Sequence, residues 1–200
     1  GPVLQAAAQR AIAAGATPGK VLEALAGITA SPDLVLFTYV NPLLQIGTEV
    51  LLDLLPRTPV KALLVVDLPD GEEPDFERRL RQAGFPMVPL LAPTTSPERA
   101  ATLLAARPDP GPGAPFAQRF AYVVARLGVT GAGSATDLTP VQSRMAELRR
   151  LGDRPLAVGF GLSSPEALAA VRALEATPVV GSALVQALHE GQGLGAFLAH

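Results

Sequence analysis

The residues that could do chemistry in this chain gather in three glycine-bearing stretches. In "VGFGLSSPEA" (158–167), Gly159 and Gly161 separate an apolar run from a segment that opens with Ser-Pro-Glu. Bare backbone at that point lets an anion approach the amides, and a helix N-terminus just beyond favours negative charge. "VVGSAL" (179–184) repeats the logic with Gly181 and Ser182. The third stretch, "ARLGVTGAGSATDLTP" (125–140), holds Arg126, Gly128, Thr130, Gly131 and Gly133. It is long for a strand-to-helix connection, and its composition is that of a lid that shields a reacting substrate from water. Together the three describe a site for a phosphate-bearing small molecule. Each also has a plainer reading: tight turns for the glycines, an irregular surface loop for 125–140.

Other chemistries find little support. His189 and His200 are the only histidines, and both stand near the C-terminus, which disfavours a histidine-based triad or metal cluster. There is no cysteine, so thiol catalysis and disulfides are excluded, and a reducing, cytoplasmic setting fits. A formal net charge of −2 steers the chain towards neither nucleic acid nor anionic lipid. No apolar run reaches the roughly 18 residues of a membrane span. The first residues, "GPVLQAAAQR", lack the basic start and apolar core of a signal peptide. Among the acids, Asp67 ends a predicted strand and is open to two readings, a base or a support. Glu72, Glu73 and Asp75 read as a solvated helix start, and Arg78, Arg79 and Arg81 as the outer face of the same helix. Tyr122 can donate a hydrogen bond, but a pKa near about 10 makes it a poor base; its other reading is a core aromatic.

These residues must be positioned by something, and the apolar pattern says what. Near-continuous β-branched runs predict strands at 34–40, 62–68, 86–92, 119–125, 155–160 and 178–182, the signature of parallel strands buried on both faces. Helices fall between them. Phe76, Leu80 and Ala83 recur at helical spacing within 74–84, and Val141, Met145 and Leu148 within 140–152. Segments 96–107 and 164–174 each open Ser-Pro-Glu, a serine cap followed by a proline with no amide to waste. Further helices are expected over 3–15, 18–28 and 46–56, with a last one from Ala183. Alternating βα units build either a doubly wound sheet or a barrel. Residues 107–118 read as a loop insertion, and 1–200 as one domain.

A resemblance narrows this. "Y-x-x-x-R-x-G-V-T-G" at Tyr122–Gly131, "GFGLSSPE" at 159–166 and "GSALV" at 181–185 resemble the tryptophan synthase α subunit family. "GPVLQAAAQRAIAAGATP", "TYVNPLLQIG" (38–47) and "LLVVDLPDGE" (63–72) agree in order along the chain. The resemblance implies an α/β fold of the (βα)8 TIM-barrel class, incomplete here, with about six parallel strands and the first two βα strands missing. It implies retro-aldol cleavage of indole-3-glycerol phosphate to indole and glyceraldehyde 3-phosphate. It further implies an α2β2 complex with a β subunit that holds pyridoxal phosphate, this chain having no cofactor or metal of its own. Residue by residue, it places the substrate phosphate at Gly131, Gly161, Gly181 and Ser182, and a mobile loop at Arg126, Gly128 and Thr130. Tyr122 falls on the family's active-site tyrosine. Phe37, Leu64, Val66 and Leu91 fall on the indole pocket, and Tyr39, Asn41, Asp67 and Pro69 on the partner interface. The family's catalytic glutamate and aspartate would precede residue 1. The 200-residue chain is therefore expected to be an N-terminally truncated form, inactive alone. The alternative is a non-catalytic module that binds a phosphate ligand and activates the β subunit.

Overall fold

The structure, a computed structural model, describes residues 1–28, 33–105, 119–124, 139–159, 165–193, 195 and 197. These fall into two compact units. One holds Ala14–Leu90; the other holds Gly1–Ala13, Leu91–Ala105 and the described residues from Tyr122 onward.

The unit Ala14–Leu90 is built around two parallel strands, β1 (Leu34–Thr38) and β2 (Val60–Val65). Their register sets Leu36 opposite Leu63, Phe37 opposite Leu64 and Thr38 opposite Val65. Helices α1 (Pro2–Ala13) and α2 (Pro18–Ala26) precede them in the chain; Thr17 caps α2 by accepting from Lys20 N at 3.3 Å. Between the strands lie α3 (Val40–Ile46), α4 (Thr48–Leu54) and a 3-10 turn, Leu55–Arg57. After β2 comes α5 (Pro74–Gln82). Leu22, Leu43, Leu51, Leu55, Val60, Leu63, Val65, Leu80, Phe85 and Met87 form the core.

Three differences from the sequence reading arise here. The strand expected over 34–40 stops at Thr38, and α3 begins where the strand was expected to continue. The helix expected over 46–56 is found as α4 and the 3-10 turn after it, but it starts at Thr48, because Gly47, at φ +81, separates it from α3, which the sequence reading did not expect. That left-handed conformation is open to glycine and keeps the two helices apart. Ala83, expected on the core face of α5, is exposed, because the helix ends at Gln82 and Gly84 turns the chain at φ +88. The buried face of α5 is Glu77 and Leu80.

In the other unit, β3 (Leu90–Leu91), β4 (Ala121–Val124), β5 (Leu156–Gly159) and β6 (Thr177–Val179) are hydrogen-bonded in that order. β5 and β6 pair in parallel, Ala157 opposite Thr177 and Gly159 opposite Val179. Helices α6 (Pro97–Leu104), α7 (Thr139–Leu151), α8 (Pro165–Ala173) and α9 (Ser182–His189) alternate with the strands. Ser96 caps α6 as its sequence promised, accepting from Arg99 N at 3.2 Å. The equivalent Ser164 lies outside the described residues, while Pro165 opens α8 as expected. Val141, Met145 and Leu148 of α7 are buried as their spacing predicts. α6 and α7 approach closely because Gly152 has no side chain: an added Cβ would sit 2.8 Å from Leu104 Cβ.

Candidate functional site

Within Tyr122–His200 the candidate site begins at β4 and β5. Tyr122 points from β4 into the fold and is only 6 % exposed. Its ring lies against the backbone of Gly159 on the neighbouring strand. A Cβ at Gly159 would overlap Tyr122 Oη and lie 2.7 Å from Cζ and 3.0 Å from Cε2. The first glycine of Gly-Phe-Gly therefore makes room for a tyrosine, a reason that a turn-or-anion reading of the motif did not contain. Side-chain volume on one strand has fixed the residue type on the next.

Burial raises the pKa of the Tyr122 hydroxyl, because the phenolate would lose its hydration. At neutral pH the group is a proton-bearing donor and not a base. The folded state keeps this proton past the ordinary value of 10.0, at which the unfolded chain loses it. In that window the unfolded state binds fewer protons, so stability is complete below about pH 10 and falls as pH rises through the native pKa. Tyr122→Phe should remove this share of the alkaline loss. Urea unfolding midpoints of both proteins at about pH 9 and about pH 11 check it; parallel declines would count against it.

Gly181 and Ser182, which the sequence reading put at the end of the last strand, stand instead at the start of α9, because β6 stops at Val179. Gly181 is the N-cap residue, no side chain caps the helix, and an added Cβ at Gly181 would meet nothing within 4 Å. An exposed, side-chain-free helix start of this kind suits an anion. Gly131, Gly161, Arg126, Gly128 and Thr130 lie outside the described residues.

Leu91 is fully buried at the end of β3. The loop after it is closed on itself: Ala92 N donates to Thr95 Oγ1 at 2.9 Å, and Thr95 N to Ala92 O at 3.0 Å. Arg144 of α7 then fixes that loop, with Nη2 donating to Thr95 O at 2.9 Å while Nη1 pairs with Glu147 at 2.7 Å. Sequence reasoning missed Arg144. The signal was present, since it falls at helical spacing from Val141 and Leu148, and an arginine on a buried stripe must find acceptors.

In the unit Ala14–Leu90, Phe37, Leu64 and Val66 share one face: Phe37 is opposite Leu64, and Val66 follows two residues on. Leu64 is buried, whereas Phe37 is 54 % and Val66 36 % exposed. Tyr39, Asn41, Asp67 and Pro69 are all exposed where the chain loops away from β1 and β2, Asn41 already in the first turn of α3. Two bonds bring those loops together. Val66 N donates to Thr38 O at 2.9 Å, and Val40 N donates to Asp67 Oδ1 at 2.7 Å. The Asp67 carboxylate is thus engaged in joining the loops. Glu77, which the sequence reading passed over, is buried in α5 and accepts from Gly71 N at 2.6 Å.

Among the described residues no group of three or more His, Cys, Asp or Glu side chains could hold a metal ion. Nor is any described helix long and apolar enough to cross a membrane.

A sequence model of the tryptophan synthase alpha chain matches residues 1–196. The chain belongs to the tryptophan synthase alpha chain family. A tryptophan synthase alpha chain of Gloeobacter violaceus is 40 % identical over 191 residues, which cover 94 % of this chain and 65 % of that one. Another, from a Synechocystis species, is 38 % identical over 195 residues, 96 % of this chain and 69 % of its own length. The chain spans about two thirds of the length of the curated relatives it matches. Among solved structures, the tryptophan synthase subunit alpha of Campylobacter jejuni superposes with a TM-score of 0.78 at 26 % identity, covering 96 % of this chain and 73 % of that one. A chain from the tryptophan synthase a2b2 complex of Pyrococcus furiosus gives 0.77 at 28 % identity, with 95 % and 73 % covered. The fold is the α/β fold of the alpha chain family, an incomplete (βα)8 barrel with six strands among the described residues.

Proposed function

We propose that this chain is the substrate-binding body of a tryptophan synthase α subunit, a carbon–carbon lyase that cleaves indole-3-glycerol phosphate to indole and glyceraldehyde 3-phosphate. The observation that carries this reading is the family match, which runs unbroken over residues 1–196. In this reading residues 1–200 act as one barrel domain, and the protein works in the cytoplasm. The resemblance assigns the phosphate to Gly131, Gly161, Gly181 and Ser182, under a loop carrying Arg126, Gly128 and Thr130. It gives Phe37, Leu64, Val66 and Leu91 to the indole ring. The open start of α9 at Gly181 supports the phosphate assignment. The partner is a β subunit in an α2β2 assembly, which holds the pyridoxal phosphate and meets this chain at Tyr39, Asn41, Asp67 and Pro69.

The bond cleavage needs a proton delivered to indole C3 and a base at the substrate hydroxyl, tasks suited to carboxyl groups with tuned pKa values. Tyr122 stays protonated and can only donate. Asp67 is engaged with Val40 N. Neither supplies the paired carboxyl chemistry, so the 200-residue polypeptide should bind substrate without cleaving it. Fusing to it the part of the Gloeobacter violaceus chain that the match leaves uncovered should restore cleavage. Indole release from indole-3-glycerol phosphate is the measurement. Cleavage by the 200-residue polypeptide would overturn this reading of Tyr122 and Asp67, and a fusion that folds yet neither binds nor cleaves would overturn the function.

A further inference from the structure

We propose that Asp67 is a positioning residue, whose carboxylate ties the loops after β1 and β2 into one preset surface for the partner subunit. The inference rests on the reading above that Tyr39, Asn41, Asp67 and Pro69 face that subunit.

Helix α3 has seven residues, too few to be stable by itself. Its N-cap residue, Tyr39, makes no side-chain cap bond. The amide of Val40 is one of the donors that a helix start leaves over. Asp67 supplies the acceptor from 27 residues along the chain, at 2.7 Å, and its charge suits the helix dipole. The Val66–Thr38 bond brings the two backbones together just before this point. At the far end of the same loop, Gly71 takes φ +90 and donates to the buried carboxylate of Glu77, and Glu72 N donates to Pro69 O at 3.1 Å. Two carboxylates therefore hold residues 67–71 from both sides.

The frame presents an apolar group to solvent at its corner, with Tyr39 58 % exposed. Exposed apolar side chains on a rigid support are what an association surface requires, because a preset surface loses less freedom on binding. The effect of Asp67 on binding in this scheme comes from setting the Tyr39–Asn41 corner.

The test uses the full chain, the substitutions Asp67→Ala and Asp67→Asn, and the tryptophan synthase β chain of Gloeobacter violaceus as the probe. Asparagine keeps an oxygen for Val40 N and drops the charge; alanine removes the acceptor. Two quantities are read: amide exchange at Val40 and the dissociation constant for the β chain. Asp67→Ala should raise both about five-fold, the scale of a lost cap, while Asp67→Asn keeps both within about two-fold. Equal loss of binding in both variants with Val40 exchange unchanged would mean a direct charge contact and would overturn the proposal. So would faster Val40 exchange in the alanine variant with binding intact. If the unsubstituted chain does not bind the β chain, the partner reading fails and this inference with it; that outcome is seen before any substitution is made.

Discussion

Gly159→Ala is expected to destabilise the fold by about 1–3 kcal/mol, towards the upper end of what overpacking costs. The new methyl group would overlap Tyr122 Oη and crowd Cζ and Cε2, and the ring is enclosed. Nothing cheap can give way, because the atoms in conflict belong to a rigid ring and to a strand rather than to a flexible side-chain end. The partner of the clash can be named, so the effect can be undone. Tyr122→Phe removes the most crowded atom, and Gly159→Ala should cost less in that background than in the parent. A double-mutant cycle on urea midpoints measures the coupling. Additive losses would show that the conflict lies elsewhere than at Tyr122. In function, the same substitution should push the tyrosine hydroxyl from its place, so substrate binding should weaken along with stability.

Leu63→Ala should cost about 2–5 kcal/mol, the range for truncating a buried leucine whose site cannot collapse. Leu63 is fully buried, and its backbone is used on both sides. It sits opposite Leu36 in the β1–β2 register, donates to Pro86 O at 3.1 Å and accepts from Val88 N at 2.7 Å. The cavity would be walled by strands pinned by hydrogen bonds and by the side chains of Leu51, Leu55 and Leu80. Denaturant unfolding checks it; a loss below about 1 kcal/mol would mean that the surrounding helices move in to fill the space. Leu63→Met, which nearly conserves volume, should lose under about 1.5 kcal/mol.

Much of this architecture was legible in the chain because its signals are local. The six apolar runs became six strands, most of them shorter than expected and the run 86–92 only at Leu90–Leu91; β2 and β5 are nearly or fully buried, while no residue of β1 or β6 is. The Ser-Pro-Glu start at Ser96 became a capped helix for equally local reasons. What stayed hidden depends on partners far along the chain. Helix α3 is held by Asp67, and no pattern within residues 38–47 announces that. Glu77 reads as one more acid in a charged helix until Gly71 N is found against it. Gly159 was singled out for its bare backbone, but its neighbour Tyr122 comes from another strand. In the site the same division holds. Gly181 and Ser182 could be placed by the strand that precedes them, whereas Arg144, which fixes the loop beyond Leu91, required knowing which carbonyls face α7.

The parallel pairing has a consequence for how the chain must assemble. Leu34 pairs with Val60 and Ala157 with Thr177, so in each pair at least one whole helix lies between the partners. No hairpin can start such a sheet, because among the described residues no two consecutive strands meet through a tight turn. Each pairing has to wait for a long loop to close, and the entropy of closure comes before any ladder bond rewards it. Folding should therefore be slow beside that of a helical bundle of equal size, with unpaired strand edges open to other chains while it proceeds. On the ribosome β1 would emerge well ahead of β2, leaving Phe37 and Tyr39 exposed during the interval.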